Sequence, residues 1–501
     1  MKHQLLFLPL LIPLVTAVLG LLVWNKPKLQ RLLGVYGTAA LLVSGIALLS
    51  MVLQEGIISA QAGNWPAPFG ITLVADIFSA LMVIAAGVMG LAVSVYSLAD
   101  TDRHHESVGY HPLLQVLLLG VCGSFLTGDL FNLYVWFETM LIASFVLLAM
   151  GGRREQMEGA IKYVALNLIA SAFFLAGIGL LYGAVGTLNM ADLALRLRAV
   201  PHVGTVPVIA VLLFCAFCIK AAVFPFFFWL PASYHTAPVA VITVFSALLT
   251  KVGVYVLIRV FTLVFVQETA TGQPLILAAA AFTMLAGTMG AIAQPELRRV
   301  LTFCVVSQIG YMLMGLGIMT PLALAGSIFF MLHIIAAKSA LFLSTGIVAR
   351  LTGTTELARL GGLYQRRPLL AALFLIPALS VAGIPPLSGF WGKLALIQAG
   401  LGAGHYLTVA VALGVSILTL YYLARAWSET FWKKRPAEED HEHHPISSVH
   451  RRQMLVPTAL LASVSVLMGV AAEPVFRLSL LAARQLLDPG SYISAVLGVR
   501  P

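Results

Sequence analysis

"CAFCIKAAVFPFFFWLP", residues 215–231, sets Lys220 inside an apolar run and follows it within eleven residues by Pro225 and Pro231. A run this apolar belongs in hydrocarbon, where a charge costs at least ~2.5 to 3.5 kcal/mol and a proline removes a backbone hydrogen bond. Both are tolerated where a membrane helix opens beside a hydrated cavity, so the stretch reads as a broken transmembrane helix. "SVAGIPPLSGFWGKL", residues 380–394, repeats the arrangement: Pro377, Gly383, Pro385 and Pro386 precede Lys393 within sixteen residues. Interrupted helices in corresponding places of two halves point to a transport site.

The rest of the chain agrees with a membrane setting. Of 501 residues 60% are apolar and 10% are charged, too few charges to cover a soluble body of this size. The net charge of +10, from 30 Lys and Arg against 20 Asp and Glu, is spread over short connections and forms no continuous patch, which points away from nucleic acid. The four cysteines, Cys122, Cys215, Cys218 and Cys304, fall in apolar runs and read as small core residues, with neither a disulfide framework nor a zinc site expected. No cofactor motif is present, and the first apolar stretch reads as an uncleaved span and not as a signal peptide.

Windows of ~20 residues give fourteen spans, near 5–22, 33–53, 70–98, 112–128, 130–150, 160–184, 206–230, 239–266, 274–294, 299–319, 322–349, 369–400, 405–431 and 453–472. They are numbered 1 to 14 below. With both termini outside, seventeen basic residues fall in the inner connections and six in the outer ones and the tails, as the positive-inside rule favours. The loop between spans 13 and 14 carries His441, His443 and His444 and reads as solvated, without metal. The tail after Pro474 is amphipathic and is expected on the membrane interface or on a partner subunit.

Six ionisable residues sit where charge is expensive: Glu138 in span 5, Lys220 in span 7, Lys251 in span 8, His333 and Lys338 in span 11, and Lys393 in span 12. Structural ion pairs cannot account for them, because one acid faces four lysines. Lysines that gain and lose protons are what a relay requires. Asp76 and Asp129, near helix ends, are candidates either for mouth residues or for ordinary interface acids.

Spans 4–8 and 9–13 form two sets of five, and an odd number makes the second set run opposite to the first. The expected organisation is all-α, with three N-terminal spans in 1–111, inverted five-helix repeats in 112–266 and 267–431, and a polar loop, last span and amphipathic tail in 432–501. Span 7 then matches span 12, pairing Lys220 with Lys393, while span 10 has no acid to mirror Glu138.

"FNLYVWFETM" (131–140), "AIKYVALNLIASAFFLAGIGLLYGAVGTLNMADLA" (160–194), "WLPASYHTAPVAVITVFSALLTKVGVYVLIR" (229–259) and the 380–394 stretch resemble the antiporter-like family. That family comprises the large subunits of Mrp-type multisubunit cation/proton antiporters and the proton-pumping membrane subunits of respiratory complex I. The resemblance covers spans 3 to 13. It implies a functional pair at Glu138 and Lys220, a relay through Lys251, His333 and Lys338, and a terminal group at Lys393. It also implies exchange of protons for Na+ or another monovalent cation, in a bacterial cell membrane and alongside other subunits and lipid. The middle pump of complex I typically has glutamate at the last position, so Lys393 favours the Mrp side. A redox-driven pump subunit of complex I or a membrane-bound hydrogenase is the alternative; a non-catalytic scaffold and a standalone solute carrier fit less well. In the Mrp reading the chain is a secondary transporter subunit and not an enzyme.

Overall fold

The computed structural model describes residues 2–199, 204–434 and 447–498; the loop histidines lie outside them. Among the described residues twelve helices are long and apolar enough to cross a membrane, and two shorter apolar ones, Tyr110–Leu126 and Pro368–Ala382, stand where spans 4 and 12 are expected. Helices are what such runs must form in lipid, because every backbone N–H and C=O has to find its partner within the segment. Spans 8, 10 and 11 make the interior. The apolar window of span 8 (Val239–Leu263) is wholly buried, and 94% of those of span 10 (Leu297–Ile318) and span 11 (Pro321–Thr352) is buried, against 39% for spans 1, 2, 6, 13 and 14.

Span 3 starts later than its hydropathy suggests. Residues Thr72–Ala75 form a strand paired antiparallel with Ile58–Gln61, and the helix Ile77–Asp100 begins only after Asp76. Asp76 stops the strand by capping: its carboxylate accepts from the Ser79 N–H at 2.8 Å, while the Ser79 hydroxyl accepts from the Asp76 N–H at 2.9 Å. The all-α expectation is therefore modified by one two-stranded sheet.

The C-terminal tail helices Ala472–Leu486 and Pro489–Leu497 pack on this chain's own spans 3 and 11 and on the hairpin. Ser479, Ala482 and Ala483 are small enough to bring the helix close, with Arg477 and Arg484 left on its exposed side. The Ile77 N–H donates to Gln485 at 3.1 Å, and the Ser59 hydroxyl donates to the Ala495 carbonyl at 2.7 Å. Both described chain ends thus lie on the hairpin face. On the opposite face Arg31 holds Glu106 through two bonds, at 2.5 and 2.9 Å, and Arg350 donates to the Ala99 carbonyl.

One joint occurs twice. The Leu130 N–H donates to the Leu188 carbonyl (3.0 Å) and the Met190 N–H to that of Gly128 (2.8 Å), tying the start of span 5 to the chain after span 6. The Leu297 N–H donates to the Thr355 carbonyl (2.9 Å) and the Leu357 N–H to that of Pro295 (2.9 Å), tying the start of span 10 to the chain after span 11. Every member of the second joint stands 167 positions after its counterpart (128 and 295, 130 and 297, 188 and 355, 190 and 357).

Candidate functional site

Span 7 ends its first half at Ala221, where Ala222 turns left-handed (φ 60°); after Pro225 the chain resumes as the short helix Trp229–Tyr234. Lys220 is therefore in the last turn of a half-helix, where the unsatisfied carbonyls and the dipole favour a cation. Pro231, expected as a second break, breaks nothing. It is the third residue of the resumed helix, where the backbone N–H has no intrahelical partner to lose. Span 12 is interrupted in the same way. Pro368–Ala382 ends at Gly383 (φ 93°), Pro385 and Pro386 follow, and Ser388–Gly402 resumes.

The two lysines occupy this geometry from opposite sides. Lys220 precedes its break, whereas Lys393 lies after its break and reaches back to donate to the Ala382 carbonyl at 3.1 Å. They match in space, at the C-terminal end of a first half-helix, and not in sequence register. Lys393 also sits 4.7 Å from the centre of the Tyr311 ring, and Lys220 sits 5.6 Å from that of Phe137.

Glu138 and Lys220 make no direct ion pair. The Ser171 hydroxyl of span 6 (Arg154–Val185) stands between them, 2.5 Å from the Glu138 carboxylate and 3.1 Å from the Lys220 ammonium. A hydroxyl has one proton to give and two lone pairs to receive. Ser171 can thus donate to ionised Glu138 while accepting from Lys220. When Glu138 is protonated it can turn its hydrogen to the Asn167 carbonyl, 3.0 Å away. A cleft of about 10 Å³ beside Lys220, lined by Tyr163, Asn167 and Trp229, has room for about one water. Glu138 itself is half-buried, on the helix face that exposes Phe131, Val135 and Ile142.

Beyond Lys220 lies the buried interior. Gly253 of span 8 lies against the end of the half-helix; a Cβ there would come within 2.6 Å of the Ala221 nitrogen, so the two backbones meet only because the residue is glycine. Lys251, fully buried, follows a π-helical segment, Phe245–Leu249, and donates to the Ser246 carbonyl at 2.6 Å. Lys338 is fully buried with its ammonium 3.4 Å from the Leu301 carbonyl. His333 is bonded through Nδ1 to the Ser388 hydroxyl at 2.7 Å, and its Nε2 has no partner among the described residues. Ser388, Ser380 and Ser465 form a triangle of hydroxyls 3.0 to 3.1 Å apart that joins span 11, both halves of span 12 and span 14.

The two candidate mouth acids are otherwise occupied. Asp76 is buried, caps span 3 and is ion-paired with Arg259 of span 8, whose guanidinium lies 5.5 Å from the centres of the Tyr255 and Tyr492 rings. Asp129 caps span 5 by accepting from the Asn132 N–H at 2.9 Å, and burial pushes its carboxyl above the usual carboxylate range. Among the described residues no group of three or more His, Cys, Asp or Glu could hold a metal ion. No sequence signal marks Ser171, Arg259 or the serine triangle, since hydroxyls are common in membrane helices and Arg259 sits near a span end.

The family described as NADH:quinone oxidoreductase/Mrp antiporter, TM, matches residues 127–419. A protein from Alkalihalophilus pseudofirmus, named as a subunit of a Na(+)/H(+) antiporter, is 42% identical over 495 residues, 99% of each chain, and its namesake from Bacillus subtilis is 38% identical, again over 99% of each. A chain of the Mrp complex from Dietzia sp. DQ12-45-1b superposes with a TM-score of 0.91 at 31% identity, covering 99% of both chains. A chain of respiratory complex I from Thermus thermophilus, at 24% identity and a TM-score of 0.80 over 97% of this chain and 100% of its own, shares the fold. The multi-pass helical architecture and the near-complete matches agree: the chain belongs to the NADH:quinone oxidoreductase/Mrp antiporter family of membrane subunits.

Proposed function

We propose that the chain is the proton-translocating subunit of a multisubunit Na+/H+ antiporter. Protons enter at Glu138, pass by Ser171 to Lys220, then through Lys251 to Lys338 and His333, and leave by Lys393. The observation that carries this reading is the Glu138–Ser171–Lys220 chain at the end of a half-helix: a carboxylate, a two-way hydroxyl and an ammonium in contact, where either end can change its proton. Relatives named as subunits of Na(+)/H(+) antiporters support sodium as the exchanged ion and other subunits as partners.

The recurring joints at 128–130 with 188–190 and at 295–297 with 355–357 support two inverted five-helix repeats over 112–266 and 267–431, flanked by 1–111 and 432–501. Basic connections opposite the face that holds both described chain ends support a bacterial cell membrane orientation with both termini outside.

The test is sodium-dependent proton flux in everted vesicles carrying the assembled complex. Glu138→Ala and Lys220→Ala should each abolish flux, and the double variant should be no worse in flux yet better folded than either single, because no lone charge remains. Normal flux in either single variant overturns the reading. Flux that follows an electron donor and ignores sodium would instead identify a redox-driven pump subunit.

A further inference from the structure

The three hydroxyls beside His333 can be followed proton by proton. Ser465, on span 14 (Ser448–Val470), donates to Ser380 at 3.0 Å, and the Gly389 N–H donates to the same oxygen at 3.4 Å. Both lone pairs of Ser380 are then in use, and among the described residues its own hydrogen has one acceptor, Ser388 at 3.1 Å. Ser388 stands 3.1 Å from Ser465 and 2.7 Å from Nδ1 of His333. All four side chains are fully buried, so bulk water does not compete for these hydrogens.

One arrangement of hydrogens satisfies every contact. Ser380 donates to Ser388, Ser388 to Ser465 and Ser465 to Ser380, a closed loop that uses all three hydroxyl hydrogens and leaves Ser388 one lone pair. That lone pair faces Nδ1 of His333, which must therefore carry a hydrogen. Were Ser388 to donate to Nδ1 instead, its contact with Ser465 would hold no hydrogen at all. A neutral imidazole has a single N–H, so Nε2 is bare. The surroundings of that atom agree: Nε2 is buried without a partner among the described residues, and a Cβ on Gly389 would come within 2.8 Å of it, so glycine keeps the approach open.

Span 14 is pinned at this place. Gly469, one helical turn beyond Ser465, lies against the break in span 12, where a Cβ would come within 2.5 Å of the Pro386 carbonyl oxygen. Trp391 donates to the Gly469 carbonyl at 2.9 Å and closes the contact.

The geometry points to the serine triangle as a tautomer lock. Ser380, Ser388 and Ser465 are positioning residues that keep the hydrogen of neutral His333 on Nδ1 and leave Nε2 as the one ring atom that accepts a proton. The role in transport, though not the tautomer, rests on the relay proposed above. In that relay an N–H bond forms on Nε2 as the N–H bond of the donor breaks, giving an imidazolium whose Nδ1–H stays on Ser388; the same Nε2–H bond breaks when His333 unloads. The triangle is no wire, because each of its hydrogens is held within the loop. It also draws span 14, which lies outside both sets of five helices, into the working of the site.

Ser465→Ala opens the loop. Ser380 still donates to Ser388, whose hydrogen then has only Nδ1 to meet, so the tautomer should invert to Nε2–H. Nuclear magnetic resonance on the assembled complex in lipid vesicles, with isotope-labelled histidine, reads this directly, since protonated and bare ring nitrogens resonate apart. The His333 signal is identified by its loss in His333→Gln, and the pH is set well above the ordinary histidine value of ~6.5. The wild type should show Nδ1–H and Ser465→Ala should show Nε2–H, with sodium-dependent proton flux in the variant lowered about fivefold or more, the bias that one hydrogen bond sets. Nε2–H in the wild type, alone or beside Nδ1–H, or the same tautomer in both proteins, overturns the lock. An inverted tautomer beside wild-type flux overturns its part in transport. Should Ser465→Ala not reach the membrane, the wild-type spectrum decides alone: Nδ1–H supports the lock and Nε2–H overturns it. Glu138→Ala separates the two readings. Normal flux there sinks the relay and leaves the tautomer standing, whereas lost flux there beside wild-type flux in Ser465→Ala sinks the part of the lock in transport alone.

Discussion

Ser171→Ala removes one oxygen and breaks the contact between Glu138 and Lys220. The hydroxyl lies 2.5 Å from the carboxylate and 3.1 Å from the ammonium, so both bonds involve a charged partner. A hydrogen bond to a charged group is worth ~1.5–3 kcal/mol. If one such bond is present in the state that moves the proton and absent from the resting state, the barrier rises by that amount. At ~1.36 kcal/mol per factor of ten, flux should fall roughly 10- to 150-fold.

The fold should not suffer. Alanine is the better helix former, and the site loses a single atom beside a cleft that has room for about one water. The assay is initial sodium-dependent proton flux in everted vesicles, normalised to the amount of assembled complex. Ser171→Thr keeps the hydroxyl and should retain most of the flux. A wild-type rate in Ser171→Ala, or equal damage in alanine and threonine, would refute the bridging role and leave Glu138 and Lys220 acting through space or through water.

Three other outcomes follow from the same contacts. Lys393→Ala and Lys393→Arg should both lose flux, since arginine keeps a cation at the Ala382 carbonyl but cannot release a proton; partial flux in the arginine variant would mean that Lys393 acts by its charge and does not carry the proton. Arg259→Ala should destabilise the fold by ~3–5 kcal/mol, read as a lower melting temperature in detergent, because it strands buried Asp76; Arg259→Leu with Asp76→Asn should recover most of that loss. Burial opposes ionisation of Glu106, but His111 and Arg31 outweigh it and hold the carboxyl below the usual glutamate range. The stability it adds is therefore complete above the ordinary value and lost as pH falls through the lowered one, so Glu106→Gln should lower the melting temperature at neutral pH and lessen its fall below pH ~4. An unchanged acid limb would exclude that role.

What the chain disclosed before folding was what costs free energy in a membrane. Glu138, Lys220, Lys251, His333, Lys338 and Lys393 stand out because charge in hydrocarbon needs a reason, and Pro225, Pro385 and Pro386 stand out because each removes a backbone bond. Ser171 carries no such cost: a serine in a membrane helix can bond its own backbone, as this one does to Asn167, so nothing separates it from the other serines of the spans. Pro231 misleads for the converse reason. Its cost depends on whether its N–H has a partner to lose, and that is set by where the helix resumes after Pro225. The tail reads correctly as amphipathic, but amphipathicity does not say what the apolar face meets, and the small residues Ser479, Ala482 and Ala483 turn it onto spans 3 and 11. Lys220 and Lys393 reach the ends of their first half-helices from opposite sides of the break, as a long side chain can, and sequence position alone does not disclose it.

The four lysines divide by what holds them, and the division bears on how a proton could move. Lys220 shares Ser171 with a carboxylate, whereas Lys251, Lys338 and Lys393 each face a backbone carbonyl, of Ser246, Leu301 and Ala382. A carboxylate favours the ammonium over the amine, so Lys220 would release its proton only as Glu138 takes one up. A carbonyl accepts an N–H from either form, so both protonation states keep a partner and their free energies stay closer together. Cooperation would then have to come from neighbouring sites, since charge on one buried group disfavours like charge on the next. Glu138 sits at the half-buried edge of the chain while Lys251, Lys338 and Lys393 lie buried in its middle, so in the proposed relay a proton taken up at the edge would pass to groups that keep a partner in either protonation state.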